Sequence, residues 1–378
     1  MTPAVSTEEL RARIRRLPRL HIAALPTPLQ VMPRLADALA VSELRVKRDD
    51  LTGIGLGGNK SRGLELILAD ARERGCDVLV AGGGGEQSNH AVQCAAAANR
   101  AGLDSVLVLQ RRPDARANGN ALLHELVGGR TVWVESDPGF KDRRSAVGHM
   151  HAEAERLAAE GRKPYVLESS LHPLSVVAYV EALVELCEQL ADEQELPTLV
   201  YVTSEGAALG GLLLGTRLLG LPWEVTGLDW RPQEPGVASR LDDVVRQAAD
   251  LLGLTDPLHP DDFVIRSSGG PAYGVGRPES WEALELASRT EGLLLDPVYT
   301  AKGLAGARAD LDARGGYAGR VVFVHTGGVG ALFAYQSEIE EWLARRTERG
   351  EDAAGTRTTP AALAGPSRDG EEASWTRS

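Results

Sequence analysis

The chain has 378 residues and a formal net charge of −12, enough length for two domains or one large α/β unit with a sizeable core. The acidic balance and an aromatic content of only 4% argue against nucleic acid as a partner. Three widely spaced cysteines, Cys76, Cys94 and Cys187, fit neither a disulfide framework nor a zinc cluster, so a reducing cytoplasm and no metal are expected.

In chain order, the first thirty residues carry five arginines and no long apolar run, so no secretory signal is read there. No stretch of about 18 apolar residues suggests a membrane span anywhere. The first unusual stretch is "GLGGNKSRGLE", Gly55 to Glu65. Only five of the 41 basic residues are lysine: Lys47, Lys60, Lys141, Lys163 and Lys302. Arginine keeps its proton in a protein, whereas a buried lysine can release it and act as an amine nucleophile. Lys60 follows Asn59 and two glycines and opens an apolar helical pattern at Leu64, Leu66, Ile67 and Leu68. That is a poor place for a purely solvating charge.

Next come apolar runs that predict buried parallel strands: Asp77 to Gly82, Ser105 to Leu109 and Thr131 to Val134. Helical stretches alternate with them, which is the βαβ signature. A second set follows at Thr198 to Ser204, Trp223 to Trp230 and Gly319 to Gly328. The fold class expected is α/β, with two open twisted, mostly parallel sheets flanked by helices. From about Arg345 onward the composition turns to Arg, Glu, Thr, Pro, Gly and Ala without apolar period, which predicts a disordered tail over 346–378. Three strand ends run into special residues: glycines then Ser88 and Asn89, Thr203 and Ser204 before a Gly/Ala-rich helix start, and His325 to Gly328. Ligands of open α/β sheets sit at the carboxyl ends of strands, and helix N-termini with small residues suit phosphate or carboxylate.

With these residues in place, the chain resembles the fold type II (tryptophan synthase β-like) pyridoxal phosphate enzymes. Within them it is most similar to the D-cysteine desulfhydrase and 1-aminocyclopropane-1-carboxylate (ACC) deaminase group. The likeness runs from "LPTPLQVMPRL" to "HTGGVGALFAY". It passes through "VKRDDLTGIGLGGNKSRGLE", "GGGEQSNHAVQCAAAANRAGL", "GGPAYGVG" and "LDPVYTAKGLAG". The resemblance implies a large cofactor-binding domain over 1–62 and 172–345, a small α/β domain over 63–171, a homodimer, and pyridoxal 5'-phosphate as cofactor.

It also implies roles. Lys60 would hold the cofactor as a Schiff base, which needs an unprotonated amine in a desolvated site, with Asn59 beside it. Asn89 would hydrogen-bond the cofactor's phenolic oxygen. Ser88, Asn89 and His90 would lie near the substrate, and Ser88 and Asn89 are also good helix N-caps. Thr203, Ser204, Gly206, Ala207, Ala208 and Gly210 would cradle the phosphate, helped by the helix dipole. Tyr273 and Tyr299 would point hydroxyls at the substrate, though ordinary amphipathic burial also explains them. Thr300 and Thr326 would flank the pyridine nitrogen.

Those threonines separate the subgroups. ACC deaminases tend to carry Glu and Leu at the two places, D-cysteine desulfhydrases Thr at both. A carboxylate there favours a protonated ring and a stronger electron sink; a hydroxyl supplies only a hydrogen bond. The expected chemistry is therefore β-elimination from a small amino acid. The alternatives are ACC deaminase-like or β-replacement chemistry, or a non-catalytic homologue that binds cofactor or a metabolite. The chain departs from the family pattern at Glu205, Gly206, Ala207 and Ala208, where Ser-Gly-Gly-Thr is usual. It departs again at Gly63, where a lysine usually follows the arginine, and at Ser175 and Val176, which replace glycines.

Overall fold

The computed structural model describes residues 5–111, 118–135, 143–193, 196–230, 235–255, 258–268 and 272–348. Met1–Tyr335 form one compact unit and Gln336–Ser378 a second. The first unit holds two sheets. The larger has the order β1-β2-β10-β7-β8-β9, built from β1 (Leu29–Val31), β2 (Val41–Lys47), β7 (Thr198–Val202), β8 (Trp223–Leu228), β9 (Val264–Arg266) and β10 (Tyr317–Val324). The smaller has the order β5-β4-β3-β6, from β3 (Val78–Gly85), β4 (Asp104–Arg111), β5 (Arg130–Glu135) and β6 (Pro164–Leu167). Every pairing is parallel except that of β1 with β2.

Around them, in chain order, lie α1 (Thr7–Ile14), α2 (Pro33–Ala38), α3 (Lys60–Glu73), α4 (Asn89–Ala101), α5 (Asn120–Leu126) and α6 (Arg143–Ala159). Then follow α7 (Pro173–Leu190), α8 (Ala207–Leu218), α9 (Val237–Leu251), α10 (Pro278–Glu291) and α11 (Thr300–Ala313). The second unit is described as α12 (Gln336–Glu348). Most of the segment read as a disordered tail, 349–378, lies outside the described residues, as do Gly269 to Pro271 of the "GGPAYGVG" motif.

Strand alternation explains the layering. Val200, Val202, Val322 and Val324 face a core with α7, α8 and α9, while Leu199, Tyr201, Val321 and Phe323 face α10 and α11. The smaller sheet is covered likewise, Leu79, Ala81, Leu107 and Leu109 on one side and Val78, Val80, Val106 and Val108 on the other. Burial on both faces is why these strands read as continuous apolar runs. Four strands lack that signal. β1 and β9 have three residues each and β6 four, and β2 mixes buried with exposed positions.

The strand order positions the site. In the larger sheet β7, β8 and β9 step outward, then β10 returns to the other side of β7. In the smaller sheet β3, β4 and β5 step outward, then β6 returns to the other side of β3. Each return leaves a crevice at the strands' carboxyl ends. Those ends carry Thr203 and His325 in one sheet and Gln87 to Asn89 in the other.

One close approach joins the layers. A Cβ on Gly63 of α3 would lie 2.5 Å from Ser175 Oγ and 3.0 Å from Ser175 Cα on α7. The absent side chain at 63 is what admits Ser175.

Candidate active site

Lys60 is the first residue of α3, and its Nζ donates to Asn59 Oδ1 at 2.8 Å. The residue is partly exposed, but its ammonium sits among protein atoms. Burial pushes its pKa down to about 8, against the attraction of Asp49. Cys94, the other group facing it, stays a neutral thiol because burial raises it. A sizeable fraction of free amine near neutral pH is what a lysine nucleophile requires.

The loop ahead of Lys60 is stitched to both crevices. Asn59 N donates to Thr326 O at 3.1 Å, and Gly58 forms a bridge with Gly327. Asn89 Nδ2 donates to Gly57 O at 3.1 Å, and Gln93 Oε1 accepts from both Ser61 N and Ser61 Oγ at 2.9 Å. Gly58 has φ of +140°, and a Cβ there would lie 2.4 Å from Gln93 Nε2 and 2.5 Å from Asn89 Nδ2. Gly58→Ala is therefore expected to cost at least about 2 kcal/mol in urea unfolding, through strain and displaced amides. An unchanged midpoint would mean that this junction is looser than its geometry.

Beneath the first turn of α3 lies a closed charge network. Arg62 is bidentate toward Asp49 (Nε–Oδ2 2.9 Å, Nη2–Oδ1 2.8 Å) and toward Glu185 (Nη1–Oε1 and Nη2–Oε2, both 2.9 Å). Lys47 Nζ donates to Glu185 Oε2 at 2.9 Å, Gln189 Oε1 at 2.8 Å and Thr27 O at 2.8 Å. Tyr179 OH donates to Asp49 Oδ2 at 2.8 Å, and Asn59 is within hydrogen-bonding reach of Tyr179. Burial alone would raise both carboxyls, but the Arg62 guanidinium, with Lys47, holds Asp49 and Glu185 below their ordinary values. Two cations and two carboxylates thus sum to zero charge in a dry place.

Ser88 caps α4, its Oγ accepting from Ala91 N at 3.3 Å, and Asn89 begins the helix. His90 lies on the same first turn, 3.6 Å from Cys94 Sγ. The Gln87–Ser88 loop is held from α5. Asn120 N donates to Gln87 Oε1 and Asn120 Nδ2 to Gln87 O, both at 3.0 Å, and His124 Nε2 lies 3.1 Å from Ser88 O. Burial lowers His124 to about 4, so it stays neutral and donates to that carbonyl.

At the end of β7, Thr203 Oγ1 is buried with no hydrogen-bond partner. It packs on Gly303 of α11, where a Cβ would lie 1.9 Å away. Gly206 caps α8, its N–H donating to Ser204 Oγ at 3.1 Å, and Ala207 is the first helical residue. Ala208 turns its methyl into the core. Gly210 N bonds Gly206 O in the helix, and a Cβ there would meet Val245 of α9 at 2.6 Å. The structure does not bring Gly210 to the other residues.

Across the crevice, Thr300 is fully buried at the start of α11. Its Oγ1 donates to Asp296 Oδ1 at 2.7 Å and accepts from Asp296 N at 2.8 Å. Asp296 also accepts from Thr300 N at 2.8 Å and from Val298 N and Tyr299 N at 2.9 Å. Tyr273 and Tyr299 place their hydroxyls 3.3 Å apart. Trp230 packs edge-on to both, with centroids 5.5 Å from Tyr273 and 5.3 Å from Tyr299. Burial, with the Tyr299 phenol next to it, raises Tyr273, so it stays a protonated phenol.

Sequence reasoning missed the charge network, Asp296, Trp230, His124 and Lys302. The scarcity of lysine in an arginine-rich chain could have flagged Lys47 and Lys302, both fully buried. The others depend on long-range contacts with no local signature.

The residues present fit a cofactor with an aldehyde and an anionic tail. Lys60 offers an amine. The α8 N-terminus offers unbonded main-chain N–H groups, and beside it Thr203 offers an unsatisfied buried hydroxyl. Among the described residues no group of three or more His, Cys, Asp or Glu side chains could hold a metal ion, and no helix is long and apolar enough to cross a membrane.

Comparison with known proteins agrees with that fit. A family model described as pyridoxal-phosphate dependent enzyme matches residues 21–327. A provisionally named 1-aminocyclopropane-1-carboxylate deaminase of Pyrococcus abyssi (strain GE5 / Orsay) is 36% identical over 334 residues, covering 88% of this chain and 98% of the relative. The D-cysteine desulfhydrase of Salmonella choleraesuis (strain SC-B67) is 35% identical over 338 residues, covering 86% and 98%. A crystal structure of an ACC deaminase homologue superposes with a TM-score of 0.80 at 31% identity, covering 88% of this chain and 99% of that one. Threonine deaminase isoform 2 from Solanum lycopersicum shares the fold, with a TM-score of 0.61 at 16% identity and 91% of each chain covered.

Proposed function

The chain belongs to the pyridoxal-phosphate dependent enzyme family, and we propose that it is a lyase performing β-elimination on a small amino acid, as a D-cysteine desulfhydrase does. Pyridoxal 5'-phosphate, when bound, supplies an electron sink that acidifies the Cα proton of an amino acid. Lys60 would hold the cofactor covalently and, once released by the substrate's amine, would take the Cα proton as a base. Asn59 orients that amine in the resting chain. Asn89 would bind the cofactor's phenolic oxygen and Ser88 the substrate carboxylate, with His90 behind them. Thr203, Ser204 and the main chain of Gly206, Ala207 and Ala208 would hold the phosphate. Tyr273 and Tyr299 would orient the substrate and assist the leaving group.

The observation that carries elimination over ring opening lies at the start of α11. By the family resemblance Thr300 would occupy the place where a carboxylate would strengthen the sink, and its hydroxyl is neutral and bonded to Asp296. Asp296, four residues ahead of it, spends both oxygens on four hydrogen bonds within its own turn. Thr326, on the facing loop, is also neutral. A weak sink suffices when a good leaving group waits on Cβ. Products from D-cysteine should be pyruvate, ammonia and sulfide. A deaminase reading is favoured by the relatives of that name, and there ACC would give 2-oxobutyrate. A panel of D-cysteine, chloro-alanine and ACC decides. Turnover of ACC alone would overturn the elimination reading.

The phosphate assignment makes its own prediction. Thr203→Val keeps the shape and removes one hydrogen bond to a charged group, about 1.5–3 kcal/mol. The cofactor dissociation constant should rise by roughly 10-fold or more, read by absorbance titration of the apoprotein. No rise would mean that this hydroxyl faces something else.

We also read the chain as two α/β domains, supported by the partition of its strands between two sheets, and as a cytoplasmic homodimer. Leu122 and Leu126 of α5, exposed at 54% and 77%, are an apolar pair suited to burial against a second copy.

A further inference from the structure

We propose that Lys302 is a positioning residue that holds the aromatic wall of the substrate pocket in register. The proposal rests on the reading of Tyr273 and Tyr299 as substrate-facing groups. Lys302 is fully buried in the first turn of α11. Its Nζ donates to two main-chain carbonyls from separate loops, Trp230 O at 3.0 Å and Ala272 O at 3.3 Å. Trp230 follows the end of β8, and Ala272 immediately precedes Tyr273. Tyr299 stands just ahead of α11, the helix that carries Lys302, and its carbonyl accepts from Gly303 N at 2.9 Å. One ammonium therefore ties together the backbone beneath all three rings that pack edge to face.

A cation suits this place chemically. Two main-chain carbonyls from different half-buried loops converge on it, Trp230 O and Ala272 O, the latter also accepting from Val275 N at 3.3 Å. An ammonium has donors for both, and the lysine stem reaches them from the helix. The charged groups facing it are Asp296 before α11, Asp229 after β8 and Arg277 ahead of α10. Burial lowers its pKa most, to about 8, the two aspartates oppose this and Arg277 adds to it. Losing the proton would leave N–H donors but remove the charge that strengthens both bonds. The wall should then loosen on the alkaline side.

Lys302→Met and Lys302→Gln match each other in length, each one atom shorter than lysine, and only the second can donate. In the holoenzyme, KM and kcat for D-cysteine would be measured beside acrylamide quenching of Trp230, isolated by difference against matching Trp230→Phe variants. Lys302→Met should raise KM by about 10-fold or more, with a smaller change in kcat, and make Trp230 more open to quenching. Lys302→Gln should recover most of both. Equal behaviour of the two variants, or unchanged KM and quenching, would overturn the proposal. If no β-substituted amino acid is turned over, the lyase reading fails, and the quenching series still decides the role of Lys302. Should Lys302→Met not fold, wild type and Lys302→Gln are compared by quenching across the titration near pH 8. A rise in wild type alone supports the tether, and a flat wild-type curve sinks it.

Discussion

Lys60→Ala is expected to abolish turnover, by about 10⁴-fold, and covalent cofactor attachment, while the chain stays folded. Among the described residues Lys60 Nζ hydrogen-bonds the Asn59 amide oxygen and no carboxylate. Truncating it therefore leaves no buried counter-charge stranded. Borohydride reduction of the holoprotein followed by digestion should label the Lys60 peptide. Label on Lys302 instead would overturn the whole site. The amine also predicts a pH dependence. Burial disfavours its ammonium, so in the apoprotein Lys60 should be half-maximally acylated near pH 8 rather than near the ordinary 10.5. The linkage has a definite sign. The folded value lies below the unfolded one, so the shift costs the apoprotein stability below about pH 8 and returns it as the pH climbs toward 10.5. Lys60→Met should lose that rising segment.

Arg62→Ala should be the most destabilising single change near the site, by about 3–5 kcal/mol. It would leave Asp49 and Glu185 buried together with only Lys47 to share. In a domain whose total stability is about 5–15 kcal/mol, that loss reaches Lys60 through the turn both residues share. Arg62→Lys should not rescue, because an ammonium cannot bond two carboxylates in fork geometry. Arg74→Ala provides the control: its pair with Asp70 is exposed at the arginine, and its loss should change stability by under about 0.5 kcal/mol. Both carboxyls lie below their ordinary values. Their contribution is therefore present above the ordinary carboxylate range and lost as the pH falls from that range through their lower folded values. Urea unfolding at pH 7 and pH 3 checks both statements. Equal losses for Arg62→Ala and Arg74→Ala would refute the account.

How far the sequence could be read depended on how local each signal was. β3, β4, β7, β8 and β10 are apolar because they are buried on both faces, and a run of five to eight such residues is visible without neighbours. β1, β6 and β9 are too short to show a period and exist because a partner strand stands next to them. The same division holds in the site. Lys60, Ser88 and Asn89, Thr203 and Thr326 sit at strand ends or helix starts, where glycine and small polar residues mark the turn. Asp296 has no local signature in the sequence, and only the fold reveals four hydrogen bonds on its carboxylate. The scarcity of lysine pointed to Lys60 alone, although it marked other positions too. Of the five lysines, Lys47 and Lys302 are also buried, each needed where several acceptors converge on one cation. Gly210 had the composition of an anion cradle, yet its missing side chain serves the packing of α8 on α9.

Gly63 and Ser175 were read in the sequence as two unrelated departures, and the contact between α3 and α7 makes them one. A Cβ at 63 would lie 2.5 Å from the Ser175 hydroxyl as it now stands, so one of the two would have to shift. The nearest atom is a hydroxyl that can rotate away, but Ser175 Cα and Cβ both lie 3.0 Å off, so a side chain at 63 would press on α7 itself. The seam between α3 and α7 is thus set by two positions together, and a redesign of either helix face has to treat 63 and 175 as one unit.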